Sequence, residues 1–121
     1  MNAAKYDITI DRAAEYDFVL TIQNQLQQNV DLSQDTSFYS DIRETVTKKE
    51  VISFNPILIT SGEDGQVSFN LQEEDTLLLS PNKAYEYDIF MQRSGVTTCL
   101  LYGSVIVRAN ITKGSPIDPT I

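Results

Sequence analysis

The chain has 121 residues, with 41% hydrophobic and 21% charged, which indicates one globular domain with one hydrophobic core. Its net charge of −8 opposes attraction to phosphates and anionic lipids, so we expect neither nucleic acid nor a membrane as a partner. No apolar stretch approaches the ~20 residues that span a bilayer or forms a signal peptide behind Met1, which predicts synthesis in a cytoplasm. Cys99 has no second cysteine in the chain, so a disulfide framework is excluded.

The first half of the chain alternates apolar and polar residues with the period of half-buried strands. Three such segments predict strands, at 6–10, 18–22 and 38–42. The mixed charges of residues 44–50 predict a hairpin tip or a solvated edge, and the β-branched residues of 51–60 predict the next strand. Pro56 interrupts that strand and indicates an edge or a bulge, because proline has no N–H for a ladder hydrogen bond.

The second half begins with turn residues and returns to the same period. "SGEDG" at 61–65 predicts a hairpin turn before a strand at 67–71. Acidic residues ahead of two leucines predict one short helix within 72–79, at most two turns long. Two long strands then flank a turn at 94–95, and Gly103 in the last strand indicates a bulge or a kink.

These elements predict an all-β antiparallel sandwich of about seven or eight strands with one short helix. We expect an N-terminal arm at 1–5, the sandwich at 6–113, and an extended C-terminal arm at 114–121, which carries two prolines and no period. Tyr85 and Tyr87 fit the tyrosine corner of such sandwiches, in which a hydroxyl hydrogen-bonds back across the corner. Two tyrosines that simply pack in the core fit the spacing equally well.

Side chains that carry chemistry are sparse. The chain has no histidine, which removes the commonest general base and metal ligand. Its acidic residues alternate along strands or fill turns, and neither 63–64 nor 73–75 has the spacing of a calcium loop. Cys99 lies in a strand, where cysteine is usually a small buried hydrophobe. The sequence therefore predicts no enzyme, and neither a catalytic residue, a cofactor site nor a metal site.

Three segments carry a resemblance to a known family. They are "YDITIDRAAEYDFVLTIQN" at 6–24, "VDLSQDTSFYSDIRE" at 30–44 and "YEYDIFMQRSGVTTCLLYGSVIVRANIT" at 85–112. In order and spacing they resemble the immunoglobulin-like β-sandwich domains of tailed-bacteriophage virion proteins, such as the N-terminal domain of baseplate upper proteins. The resemblance covers the chain except its arms, and it departs from the family at Arg12-Ala13, where a glycine is expected, and in the insertion at 44–55.

The resemblance implies a non-enzymatic structural protein of the virion, assembled in the host cytoplasm. It implies a homo-oligomer, with a trimer favoured, that docks on the tail or baseplate and links fibres to it. A capsid decoration (cement) protein on the head is the alternative, with the major capsid protein as its partner. A second alternative is a module for host-surface carbohydrate, in which Tyr39, Phe90 and Tyr102 would be the stacking platforms.

Docking in such a protein would use the arms and a sheet edge, since extended segments add strands to open edges. Lys48-Lys49 is the only adjacent basic pair and marks a solvated loop tip or an edge strand. The residues predicted for the interface are Met1, Asn2, Ala3, Lys48, Lys49, Ser115, Pro116, Ile117 and Pro119.

Overall fold

The structure, a computed structural model, describes residues 3–109. Within that range it has ten strands, one helical turn and one 3-10 turn. The strands are β1 (Ala4–Lys5), β2 (Ile8–Asp11), β3 (Tyr16–Thr21), β4 (Thr36–Tyr39), β5 (Asp41–Glu44), β6 (Glu50–Ser53), β7 (Asn55–Leu58), β8 (Gln66–Leu71), β9 (Tyr85–Arg93) and β10 (Val96–Arg108). The 3-10 turn is Ile59–Gly62, and the helical turn α1 is Glu73–Thr76. The predicted arm at 114–121 lies outside the described residues.

The strands form two sheets that enclose one core. The larger sheet has seven strands, in which β10 pairs with β9, and β9 pairs with β4 and β5. The smaller sheet has three strands in the order β3-β8-β7. These neighbours match strands C, F and G in one sheet and B, E and D in the other sheet of an immunoglobulin-like sandwich. The predicted all-β sandwich is confirmed.

The strand number exceeds the predicted seven or eight because two segments are divided and because a short strand, β1, precedes the first predicted segment. The predicted strand at 38–42 is broken at Ser40, yet its register is unchanged, since Tyr39 lies opposite Phe90 and Ile42 opposite Tyr87. The next segment changes sheets at Phe54, so that β6 edges the larger sheet and β7 edges the smaller one. The edge position that proline predicts is therefore confirmed for β7.

The sandwich is not wholly antiparallel, which corrects the sequence prediction. Both N-terminal strands run parallel to β10, with Ala4 opposite Leu101 and Ile8 opposite Val105. The reason is that β2 lies beside β10, where the inward-facing side chains of both strands enter the same core. The chain crosses to the smaller sheet only at β3. Residues 4 and 5 consequently belong to the sheet and not to the predicted N-terminal arm.

The core lies between the sheets and is filled by aliphatic and aromatic side chains. Ile10, Ile42, Phe69, Leu71 and Ile89 have no exposed surface. Phe69 stacks on Phe18, with ring centroids 5.5 Å apart. Such interdigitation of the two inner faces is what the period-two pattern predicts for a sandwich.

The predicted helix is one turn long. Gln72 caps it, and the Asp75 carboxylate accepts a hydrogen bond from the Gln72 N–H at 3.0 Å, which closes a capping box. Thr76 is fully buried, and its hydroxyl donates to the carbonyl of Ala14 at 2.9 Å. This bond ties α1 to the segment that leads into β3.

Gly103, where the sequence predicts a bulge or a kink, is not the site of the bulge. The register of β10 against β9 shifts between Cys99 and Leu101, so Leu100 is the extra residue. Gly103 instead lies against the backbone of Tyr6, where a Cβ would overlap the Tyr6 carbonyl oxygen. Glycine is needed there because the backbone of a neighbouring segment approaches closely. A glycine within a strand indicates either such an approach or a bulge, and the sequence does not distinguish the two.

Candidate functional site

Three aromatic side chains lie together on the solvent face of the larger sheet, and we name Tyr39, Phe90 and Tyr102 the aromatic face. Tyr39 on β4 lies directly opposite Phe90 on β9. Tyr102 on β10 lies opposite Asp88, two residues before Phe90 on the same strand. Tyr39 is 55% exposed and Tyr102 is 47% exposed, whereas Phe90 is partly buried.

The bulge at Leu100 is what turns Tyr102 toward solvent. Alternate residues of a strand point to opposite faces, so Cys99 and Tyr102 would face opposite sides in a regular strand. The extra residue restores them to one side: Cys99 lies opposite Phe90, and Tyr102 opposite Asp88. Leu100 is itself 5% exposed and packs in the core. A bulge that re-aims a side chain is a common device in functional sheets.

An open groove of about 280 Å³ runs beside Tyr102 on this face. Its walls carry both signs of charge, from Lys5, Asp41, Arg43, Glu86 and Asp88. The groove therefore offers ionic and hydrogen-bonding groups next to an aromatic surface, a mixture that suits a polar protein surface or a sugar.

The pKa values of the two aspartates in the groove, Asp41 and Asp88, are shifted in opposite directions. Burial alone would raise the pKa of Asp41, but hydrogen bonds from Ser53 and Arg43 outweigh it and lower the pKa overall. The Ser53 hydroxyl donates to Asp41 at 2.7 Å and the Arg43 guanidinium at 3.1 Å. Burial raises the pKa of Asp88, and the Asp41 carboxylate raises it further.

The predicted interface residues are separated in the structure. Lys48 lies at the tip of the β5–β6 hairpin, and its Nζ contacts Glu86 Oε1 at 2.8 Å, which brings it to the rim of the groove. Lys49 follows in the same tip and is exposed. Ala3 precedes β1, which is an edge strand of the larger sheet and has Lys5 opposite Tyr102. Met1, Asn2, Ser115, Pro116, Ile117 and Pro119 lie outside the described residues.

The tyrosines predicted for the corner are both buried, and the hydroxyl of each makes one hydrogen bond with a backbone group. The hydroxyl of Tyr85 accepts a hydrogen bond from the N–H of Ser80 at 2.8 Å, five residues upstream. The hydroxyl of Tyr87 donates to the carbonyl of Tyr6 at 2.5 Å. The first bond spans the turn before β9, and the second joins β9 to the N-terminal segment.

Two acidic residues near the start of the chain, Asp7 and Asp11, have structural partners. Asp7 accepts a hydrogen bond from the N–H of Ser104 at 2.9 Å, and Asp11 forms a two-pronged ion pair with Arg108 at 2.6 and 2.9 Å. Between residues 3 and 109, no three metal-ligating side chains come together. Burial and then the nearby Asp88 carboxylate raise the pKa of the Cys99 thiol, which disfavours the reactive thiolate.

Sequence reasoning identifies the aromatic residues singly but not the groove. Alternation on β5 and β9 shows that Asp41, Arg43 and Asp88 face outward. It does not show that these two strands are neighbours, because they are far apart in sequence. Ser40, just before β5, donates its hydroxyl to the carbonyl of Asp88 on β9, 48 residues away. The bulge at Leu100 lies in the segment Cys99-Leu100-Leu101, which has no glycine or proline that would indicate it in the sequence.

Comparison with protein-family models and with curated proteins finds no match to this chain. Among residues 3–109, no helix has the length and apolar character needed to cross a membrane.

Proposed function

We propose that this protein is a non-enzymatic structural component of a tailed-phage virion that docks on the tail or baseplate and links fibres to it. The observation that carries the proposal is the aromatic face beside a groove of mixed charge. The resemblance of segments 6–24, 30–44 and 85–112 to virion β-sandwich domains supplies the setting.

Exposed aromatic side chains surrounded by polar groups are typical of protein interfaces. Tyrosine contributes a large apolar area and a hydroxyl, and it loses little conformational freedom when it is buried. Tyr39 and Tyr102 provide that area here, and the hydroxyl of Tyr39 already contacts Gln92 at 3.3 Å. The charged groups of the groove would set the orientation of the partner, since a rim of charges confers specificity more than affinity.

The first test is the copy number of this chain in purified particles, measured by quantitative mass spectrometry against the major capsid protein. A tail or baseplate adaptor is present at a small fraction of the number of capsid subunits. Absence from the particles would overturn the virion role altogether.

The second test asks whether the aromatic face mediates docking. We expect Tyr39→Ala combined with Tyr102→Ala to reduce incorporation of the protein into particles, because the exposed area available to the partner is removed. Leu26→Ala is the control, since Leu26 is a 77% exposed hydrophobic residue in the loop between β3 and β4 and not on a strand of the larger sheet. Equal incorporation of both variants would exclude the aromatic face as the docking surface.

Capsid decoration is the second candidate, and the net charge of −8 favours it, since a negative protein on the outside of a head is not drawn to packaged genome. The same copy-number measurement decides between the candidates. A ratio comparable with that of the capsid subunit, or a simple fraction of it, places the protein on the head.

Carbohydrate binding is the third candidate, and it rests on the same three aromatic side chains. Sugars stack on exposed aromatic rings and hydrogen-bond to neighbouring carboxylates, and Asp88 lies directly opposite Tyr102. A glycan array probed with the wild-type protein and with Tyr102→Ala tests it. Binding that the variant loses would support this candidate, and an array without binding would remove it.

A further inference from the structure

Strand β3 is an open edge of the smaller sheet. It pairs with β8 in an unbroken register from Tyr16 opposite Leu71 to Thr21 opposite Gln66, and it has no strand on its other side within the described chain. In an immunoglobulin-like sandwich of the constant type, strand A occupies that side of strand B. Here the N-terminal strands pair with β10 instead, and no strand formed by residues 3–109 takes the position beside β3.

The register defines which backbone groups point outward from this edge. Ile22 lies in line with Gly65, and its N–H donates to the Gly65 carbonyl at 2.8 Å, so even-numbered residues direct their backbone groups toward β8. In an antiparallel pair the intervening residues direct both the N–H and the C=O to the opposite side. Asp17, Val19 and Thr21 therefore present their backbone groups to the open edge, and none of these groups has a backbone partner in residues 3–109.

The opposite edge of the same sheet is blocked. Ser68 and Asn70 of β8 direct their backbone groups toward β7, so Pro56 and Leu58 are the residues of β7 that face outward. Pro56 has no N–H, and proline at such a position is a common protection against edge-to-edge pairing. Strand β3 has neither a proline, a lysine nor a register shift.

We propose that β3 pairs with β3 of a second copy of this chain, antiparallel, around a two-fold axis at Val19. In that register Val19 lies opposite Val19 of the second copy, and Asp17 lies opposite Thr21 of the second copy. The three outward-facing residues of each strand would exchange about six backbone hydrogen bonds in total. The two smaller sheets would become one continuous sheet.

The side chains of β3 favour this occupant and this register. Val19 is 52% exposed on the solvent face, where a valine pair across two strands stabilises a sheet. A shift by two residues along each strand would place Asp17 opposite Asp17 of the second copy, which is unfavourable because like charges face each other. On the inner face, Tyr16, Phe18 and Leu20 are only partly buried, and the second copy would cover them.

The contact is two-fold and differs from the trimer that the resemblance favours. An isologous pair uses one self-complementary patch on both copies, and the β3 edge is such a patch. This contact depends on the edge of the sheet and not on a place in a virion. A test of the dimer is therefore independent of a test of the proposed function.

Sedimentation equilibrium of the full chain tests the proposal. We expect a dimer that Val19→Lys weakens about tenfold or more, since lysine would face lysine across the axis. Ile57→Lys is the matched control, because Ile57 is 49% exposed on the same solvent face but two strands away, and we expect it to leave the dimer intact. A monomeric wild type, or an oligomer that Val19→Lys leaves unchanged, would overturn the proposal.

Disulfide trapping tests the register. In a Cys99→Ser background, Val19→Cys places two thiols opposite each other at the axis, where the ~5.5 Å between Cα atoms of a hydrogen-bonded pair permits a disulfide. We expect rapid formation of a covalent dimer on mild oxidation, and much slower formation with Ile57→Cys in the same background. Equal rates for the two variants would contradict pairing at Val19.

Discussion

The hydroxyl of Tyr87 donates a hydrogen bond to the backbone carbonyl of Tyr6 at 2.5 Å, across 81 residues of sequence. Tyr87 is 3% exposed, and its ring also packs against Phe54 with centroids 6.2 Å apart. The hydroxyl therefore anchors the N-terminal segment, between β1 and β2, to the centre of the larger sheet.

Replacing Tyr87 with phenylalanine should destabilise the fold by about 1–2 kcal/mol, because the carbonyl of Tyr6 loses its buried donor while the ring keeps its packing. Urea denaturation measures the loss as a lower midpoint. Tyr102→Phe removes an equivalent hydroxyl from an exposed ring and should change the free energy of unfolding very little. Equal midpoints for the two variants would show that the Tyr87 bond contributes nothing.

The same tyrosine should make stability depend on alkaline pH. Burial, and then the neighbouring Tyr16, Tyr6 and Asp7, raise the pKa of Tyr87 above its ordinary value of 10.0. A raised pKa in the folded state means that the contribution is fully present below the unfolded pKa and is lost as the pH rises through the folded pKa. Between about pH 9 and about pH 11 the wild type should therefore lose more unfolding free energy than Tyr87→Phe does. Parallel losses in both proteins would refute this.

Gly103→Ala should destabilise the protein by about 1–3 kcal/mol, because the added methyl group forces the Tyr6 backbone away from β10. Its nearest atoms belong to backbone, which yields less readily than the end of a flexible side chain. Thermal unfolding monitored by circular dichroism measures the effect. Ser104→Ala, at the exposed neighbouring position, should leave the midpoint unchanged, and a similar result for Gly103→Ala would argue against the close approach.

Asp88→Asn should raise stability at neutral pH. Because burial and Asp41 raise the pKa of Asp88 above 3.8, its contribution to stability is fully present below that value and is lost as the pH rises through the folded pKa. Asparagine removes the cost of the ionised form, so the gain should be seen at about pH 7 and shrink at about pH 3. Urea titrations at both values test this, with Asp64→Asn in an exposed turn as the control. A gain of the same size at both pH values would contradict the assignment.

Pro56→Val should leave the fold intact and increase self-association beyond that of the wild type. The new N–H would face the open side of β7 and add a donor to an edge that proline blocks. Asn55→Val is the matched control, since its backbone already faces β8 and no outward donor is gained. Dynamic light scattering over a concentration series should show species larger than the wild type for Pro56→Val alone, and the wild-type size for both variants would contradict the protective role of Pro56.

The sequence predicts the sandwich well where apolar residues alternate within one strand. Residues 85–92 and 67–71 are examples, since period two there sets both the strand and its buried face. Pro56 similarly indicates an edge, because the missing donor is a local chemical property.

Features that depend on neighbours distant in sequence could not be predicted in this way. The parallel pairing of β2 with β10 joins residues about a whole domain apart, and nothing local in β2 distinguishes a parallel partner from an antiparallel one. The bulge at Leu100 could not be predicted for the same reason, since the extra residue is defined only by the register of β10 against β9. The aromatic face follows from that bulge and was therefore predicted as separate residues and not as a surface.

The pairing of the first strands with the last has a consequence for the order of folding during synthesis. Asp11 and Arg108, which join β2 to β10, are 97 residues apart, so β2 has no partner until almost the whole described chain has left the ribosome. Strand β3 meets β8 much earlier, since Tyr16 and Leu71 lie closer in sequence. The smaller sheet can therefore form while the N-terminal strands are still unpaired. Completion of the larger sheet is the late step in folding.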